Sequence, residues 1–340
     1  MKYSIIFELT INLNTMATND YFKGSNNKVY DYFAQTCPKL LDAFKGKYDN
    51  TPISKERYGK SKSDNSYSFG SSKGKERATL SQLFDTDISQ DHWDEAVNGK
   101  EHEISRIMTM HSSALLSLLF FHAVSECNPL CIQIDGKKYR FKKAVFEVQN
   151  KCLDGGNPSS IDVMLVDHQE KVVLLLESKL SEYLSCGKKK DISIEYKNQY
   201  ADIMRPGKLS DKIEIKEENN SLTIQGIDSP SHYCEGIKQM LCHFIGAMNF
   251  KESKDDKHEG LTDYKVLLGT VLLDLSSING KKFETYKEDY KELAEYLNGL
   301  HKKDVKVLDE VITYQNLYIK AKGNGYHISE TIVRYYGLEK

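Results

Sequence analysis

Residues Phe146–Leu180 read FEVQNKCLDGGNPSSIDVMLVDHQEKVVLLLESKL. Two strongly apolar segments, Ile161–Val166 and Val172–Leu176, carry Asp162, Glu177 and Lys179 within or beside them. Runs of aliphatic residues this short, bounded by polar turn residues, predict buried strands. A charge in such a strand is costly unless it is paired or binds a cation. A turn centred between Gln169 and Glu170 places Asp162 opposite Glu177. Side chains alternate along a strand, so Glu177 and Lys179 share one face while Leu176 and Ser178 point the other way. Opposed carboxylates repel across a sheet. A divalent cation removes the conflict, and Mg²⁺ is held by one or two carboxylates plus water and phosphate oxygens.

Working outward, Ala144–Val148 predicts a further strand, and Cys131–Ile134 and Tyr139–Phe141 flank Asp135-Gly136, a hairpin dipeptide. Upstream, Ile104, Ile107, Met108, Leu115, Leu118, Leu119 and Phe120 predict one long helix ended by Asn128-Pro129. Downstream, helices are expected over 233–250, 284–297 and 329–336, and strands over 264–275 and 305–308. Strands alternating with helices predict an α/β fold with a mixed β-sheet core flanked by helices. The expected organisation is an N-terminal helical extension over 1–100 and a main domain over 101–340. Within the extension, 1–27 is a poorly specified lead-in, for which Met16 competes with Met1 as the start. A helix is expected over 28–45, and a mobile basic loop near 55–77, rich in Ser, Gly and Lys.

Asp162, a spacer of fourteen residues, and Glu177-Ser178-Lys179 at the end of an apolar strand resemble the PD-(D/E)XK nuclease superfamily. Ile161 stands where the family's name has Pro. Glu147 ahead of the Gly-Gly-Asn-Pro linker, Ser112-Ser113, the run from Glu177 to Glu182 and Gly236-x-x-Gln239 are similar to a bacterial branch of restriction endonucleases. The resemblance spans about 101–338 and is specific only over 147–179. It implies a restriction-endonuclease-like fold and a metal-dependent endodeoxyribonuclease of restriction or defence. The implied cofactor is Mg²⁺, with Mn²⁺ able to substitute, held by Asp162 and Glu177 with Glu147 and the Ser178 carbonyl. Lys179 would orient or deprotonate the attacking water, or stabilise developing charge. Glu147 stays open between metal ligand and solvent-facing strand residue, with Glu103 and Glu101 competing for the accessory acid. Gln239 stays open between positioning a water or phosphate and an ordinary helix-surface role. Double-stranded DNA is the implied partner; a homodimer and a partner methyltransferase are further partners that one chain does not specify.

Composition narrows the alternatives. In 340 residues, 47 Lys and Arg against 49 Asp and Glu give a net charge of −2, so polyanion binding must come from a local patch. Such patches are Lys137, Lys138, Arg140, Lys142 and Lys143 at the first hairpin and Lys188, Lys189 and Lys190 after the Glu177 strand, expected on both sides of the site. No apolar run reaches the ~18 residues of a membrane span, no signal peptide is expected, and seven cysteines suggest reduced thiols in the cytoplasm. No GxxxxGK[ST] or GxGxxG occurs. Cys127, Cys131, Cys234 and Cys242-His243 have the wrong spacing for common zinc sites. His111 and His122 read as ordinary core or surface histidines. The rival functions are a structure-specific repair nuclease or exonuclease of the same fold, a catalytically inactive nucleic-acid-binding module, and a protein-interaction module.

Overall fold

The computed structural model describes residues 53–54, 68–69, 71–98, 101–109, 112–184, 189–227, 232–253, 255–302 and 304–339. The expected lead-in, the helix over 28–45, the choice of start and most of the basic loop lie outside them. The chain is mixed α/β. Its central sheet pairs β5 (Lys143–Asn150), β6 (Ser159–Asp167) and β7 (Val172–Lys179) as an antiparallel meander. Parallel β12 (Lys265–Leu272) follows β7, with β13 (Val305–Val307) and β14 (Ile312–Thr313) beyond it. Residues 53–54 and 68–69 form a small separate pair, β1 and β2.

The β6–β7 turn is built as the sequence predicts. Asp167 pairs with Val172, and Asp167 Oδ1 accepts from the amides of Gln169 and Glu170, closing the turn with a carboxylate. The hairpin of β3 (Leu130–Ile134) and β4 (Lys137–Phe141) turns on Asp135 and Gly136, both at positive φ, as a two-residue turn requires.

One face of the sheet is covered by α1 (Glu76–Leu83), α2 (Gln90–Val97), α3 (Glu101–Ile107), α4 (Ser113–Phe121), α8 (Tyr314–Lys322) and α9 (Glu330–Tyr336). The expected single helix over 104–120 is instead α3 and α4, because the Ser112 hydroxyl accepts from Leu115 N and starts a new helix there. Phe69, Leu80, Phe84 and Trp93 share one apolar core with Leu115, Phe120 and Tyr335. The other face is covered by α6 (Cys234–Met248), part of α7 (Ser276–Gly299) and a second, four-stranded antiparallel sheet. That sheet orders β8 (Lys189–Ile192), β11 (Ser221–Gly226), β10 (Ile213–Glu218) and β9 (Gly207–Lys208), and α5 (Ile194–Gln199) follows β8. Among the described residues no helix is long and apolar enough to cross a membrane.

Helix α6 lies unusually close to the sheet. A Cβ on Gly246 would come 2.8 Å from the Cβ of Asn150 and 3.6 Å from that of Ser159. Gly246→Val should therefore lower stability by about 1–3 kcal/mol, even though Gly is a poor helix former. Denaturant unfolding checks this as a shift in midpoint at constant slope; an unchanged midpoint would contradict the close approach.

Candidate active site

The β6–β7 ladder is regular from Asp167↔Val172 to Val163↔Leu176 and then opens. The next opposed residues are Asp162 and Glu177. There the Ser178 amide, at 2.6 Å, donates to Asp162 Oδ2 instead of to a strand carbonyl. Alternation along β7 holds to its end. Ser178 turns its hydroxyl to the Ser113 carbonyl (3.0 Å) and the Tyr314 hydroxyl (2.8 Å). Glu177 and Lys179 turn to the α6 face.

Glu177 is buried and closely surrounded. Lys179 Nζ lies 2.6 Å from its Oε1, Gln239 Nε2 donates to the same oxygen at 3.1 Å, and His243 Nε2 stands 3.0 Å from Oε2. Gln239 and His243 are four residues apart on α6, so one helix face delivers both. The other ring nitrogen of His243 is held by the Ser159 hydroxyl, which fixes the imidazole's orientation. Burial opposes charge on Glu177, but Lys179 and His243 together outweigh it and hold the carboxyl at about 2. Burial likewise opposes charge on Lys179, and Glu177, Glu182, Tyr233 and Asp162 overcome it, so its pKa lies above the ordinary lysine value. Glu182 closes the turn after β7 by accepting from the amides of Leu180 and Ser181.

Asp162 has the opposite character. It is half-buried, and burial, then the carboxylates of Glu177 and Glu147, push its pKa well up despite Lys179 and the Ser178 amide. Glu147 is also shifted up, first by burial, then by Glu103 and Glu177, against the Ser160 hydroxyl (2.6 Å from Oε2) and Arg106. Arg106 pairs with Glu103 at 2.8 Å and is within electrostatic reach of Asp162 and Glu147. The structure thus brings together Asp162, Glu177, Lys179, Ser178, Gln239, Glu147 and Glu103.

The backbone explains how Glu147 gets there. Phe146 pairs with Val163 and Val148 with Ile161, so Glu147 falls opposite Asp162, at φ +47°. Both strands slip phase at this level. Val145 and Val148 on β5, and Ile161 and Met164 on β6, lie on the α6 face although each pair is an odd number of residues apart. A left-handed non-glycine residue costs about 1–3 kcal/mol and is held by its surroundings.

One expectation needs correction. The basic hairpin does not flank the site: Lys137 pairs with Glu170 at the β6–β7 turn, the far end of β7 from Glu177, roughly 17 Å of extended strand away. Lys142 is matched by Glu126 and Lys190 by Glu235, so much of the local positive charge is neutralised. Lys188 and His111 lie outside the described residues. His122, buried, sits 2.6 Å from the Thr86 hydroxyl and 3.0 Å from the Leu119 carbonyl, and burial lowers its pKa to about 4. It is a core residue. Cys127, Cys131, Cys152, Cys234 and Cys242 are free thiols. In the sequence His243 belongs only to a cysteine–histidine spacing wrong for zinc, and its position four residues after Gln239 is the signal available for its role.

Among the described residues no three His, Cys, Asp or Glu side chains form a ready-made metal cage. The donor set nevertheless fits a hard divalent cation. Asp162 and Glu147 repel one another and Glu177, which a cation would relieve, and all are oxygen donors. Gln239 Oε1 is buried beside Glu177 and meets no hydrogen-bond partner among the described residues, an acceptor suited to a metal-bound water.

The two facing acids should respond oppositely to neutralisation. Glu177 contributes stability that is complete above about pH 4.5 and is lost as the pH falls toward about 2. Asp162 stabilises the fold in acid and loses that contribution as the pH rises beyond the ordinary carboxylate range. At pH 7 with chelator, Glu177→Gln should lower stability by about 3 kcal/mol by stranding Lys179, whereas Asp162→Asn should raise the thermal midpoint. Shifts of the same sign would contradict the assignment.

Comparison with known proteins finds no matching family model, no matching curated protein and no matching solved structure.

Proposed function

We propose that this chain is a metal-dependent deoxyribonuclease with a restriction-endonuclease-like core, hydrolysing phosphodiester bonds in double-stranded DNA in a restriction or defence setting. The observation that carries the reading is the opening of the β6–β7 ladder at Asp162 and Glu177, with Lys179 beside them. Such a set of mutually repelling carboxylates, Glu177 buried and Asp162 half-buried, at one strand end is what a cation site needs and what packing alone does not favour. Free thiols at all five described cysteines support a reducing compartment such as the cytoplasm.

A bound Mg²⁺ or Mn²⁺ would supply charge to polarise the phosphoryl group and to acidify water. Asp162, Glu177 and the Ser178 carbonyl would hold it, with Glu147 as accessory acid. Of the roles open to Lys179, the electrostatic one is favoured. Its surroundings keep it protonated, so it acts as a donor to developing negative charge on the phosphate rather than as a base. Its ammonium carries three N–H donors, of which one goes to Glu177 Oε1. Gln239 Oε1 is placed to orient a water by accepting a hydrogen bond from it. Asp162 and Glu147 face an anionic substrate only when a cation offsets them, which makes DNA and metal binding mutually reinforcing.

One observation favours a second reading. Glu177 already has Lys179 and Gln239 on Oε1 and His243 3.0 Å from Oε2, which is how a catalytically inactive nucleic-acid-binding module would look.

Closed circular and linear duplex DNA, incubated with the protein and Mg²⁺ or Mn²⁺ or with chelator, distinguish the two. The nuclease reading expects metal-dependent nicking or cutting of the circle, abolished in Lys179→Ala. Salt-sensitive retention of DNA without cleavage under every metal condition would favour the binding module, and cleavage confined to ends would make it an exonuclease.

A further inference from the structure

Among the described residues strand β5 is an edge of the central sheet, and its outer side is met by side chains. Before Glu147, the Phe146 amide donates to Glu95 Oε2 at 3.0 Å. After it, the outward amides are those of Gln149, donating to Asp255 Oδ2 at 3.1 Å, and Lys151, donating to Ser253 Oγ at 3.1 Å. The step from 146 to 149 is odd, which is the phase slip at Glu147 seen from outside. At the slip itself, Lys257 Nζ lies 2.6 Å from the carbonyl oxygen of Phe146 and 2.9 Å from that of Glu147.

Lys151, on this edge, pairs with Asp154 and Glu252. Lys257 makes no ion pair among the described residues, although Asp255 and Asp256 are its neighbours in sequence. Its half-buried ammonium is spent on two consecutive main-chain carbonyls. Two carbonyls can converge on one cation only where the alternation of the strand is broken, as the left-handed Glu147 breaks it. The short turn Asp256–His258 that carries Lys257 is itself fixed, with His258 Nε2 2.9 Å from Asn150 Oδ1. An open cleft of about 720 Å³ runs along this edge with Glu147, Gln149, Asp255, Asp256 and Lys257 in its walls, so the acid is reached from the side that the turn borders.

We propose that Lys257 is a positioning residue for the candidate site: seated on the Phe146 and Glu147 carbonyls, it holds the kink that turns the Glu147 carboxylate toward Asp162. This rests on the reading of Glu147 as a cation-facing acid, and it makes the 255–258 turn part of the site's support although no residue of it faces Glu177. Charge and position predict opposite effects. Deleting a positive charge beside an acidic site strengthens cation binding by simple electrostatics; losing the clamp weakens it.

The test is calorimetric titration of the full chain with Mn²⁺, alongside thermal midpoints, for the wild type, Lys257→Met, Lys257→Arg, Glu147→Gln and the Lys257→Met/Glu147→Gln double variant. The dissociation constant should rise on the order of 10-fold in Lys257→Met, return most of the way in Lys257→Arg, and show no further loss in the double variant over Glu147→Gln alone. Unchanged or tighter Mn²⁺ binding in Lys257→Met, or losses that add in full, would overturn the proposal. A wild type that takes up no Mn²⁺ would instead overturn the metal-site reading, and the clamp is then decided by midpoints. If Lys257 holds a strained residue, Lys257→Met lowers the midpoint less in a Glu147→Gly background, where the left-handed conformation is relaxed. An equal loss in both backgrounds would refute the clamp.

Discussion

An ionised carboxylate at the end of an apolar strand has to be matched on every side, and Glu177 sets that demand for the whole molecule. Lys179 reaches it from its own strand, while Gln239 and His243 reach it from α6. For α6 to come that close, its last turns must lie almost on the sheet, which Gly246 permits against Asn150 and Ser159. Ser159 in turn orients the His243 ring. The position of the helix, the end of β6 and the charge state of the buried pair are thus one solution to one electrostatic problem.

Glu177 is stabilised and Asp162 is not, though the two face each other. That asymmetry has a structural counterpart in the sheet. Where the ladder opens, Asp162 is left with the Ser178 amide, and Glu147 occupies a left-handed position opposite it. Repulsion and backbone strain are concentrated in the same few residues, with Arg106 as partial compensation. Stability given up at one place is characteristic of a site built to bind something. The proposed cation would offset that repulsion with positive charge and accept these oxygens as ligands.

The sequence made part of this legible. The β6–β7 register followed from alternation and a polar turn, and with it the opposition of Asp162 to Glu177, because side-chain period and turn length are local properties. The Asp135-Gly136 hairpin was readable for the same reason. The second sheet was missed, although Ile213 and Ile215 alternate toward Leu222 and Ile224 across Asn219-Asn220, both at positive φ. That hairpin was obscured by its high content of Lys and Glu. The break between α3 and α4 lay in Ser112, a capping residue inside an apolar periodicity. The Lys257 contact and the kink at Glu147 have no local signature: Glu has no preference for positive φ, and Lys257 is 110 residues away in the chain. The basic hairpin misled because a run of charge says nothing of its partners, here Glu170 and Glu126.

The central claim is that Asp162 and its neighbours form a divalent cation site, and thermal unfolding with Mn²⁺ addresses it most directly because a ligand held only by the folded state raises the midpoint. The wild-type midpoint should climb with Mn²⁺ concentration and fall back on chelation, while Asp162→Asn should gain almost nothing from the metal. A wild-type midpoint indifferent to Mn²⁺, or a variant that gains as much as the wild type, would contradict the claim.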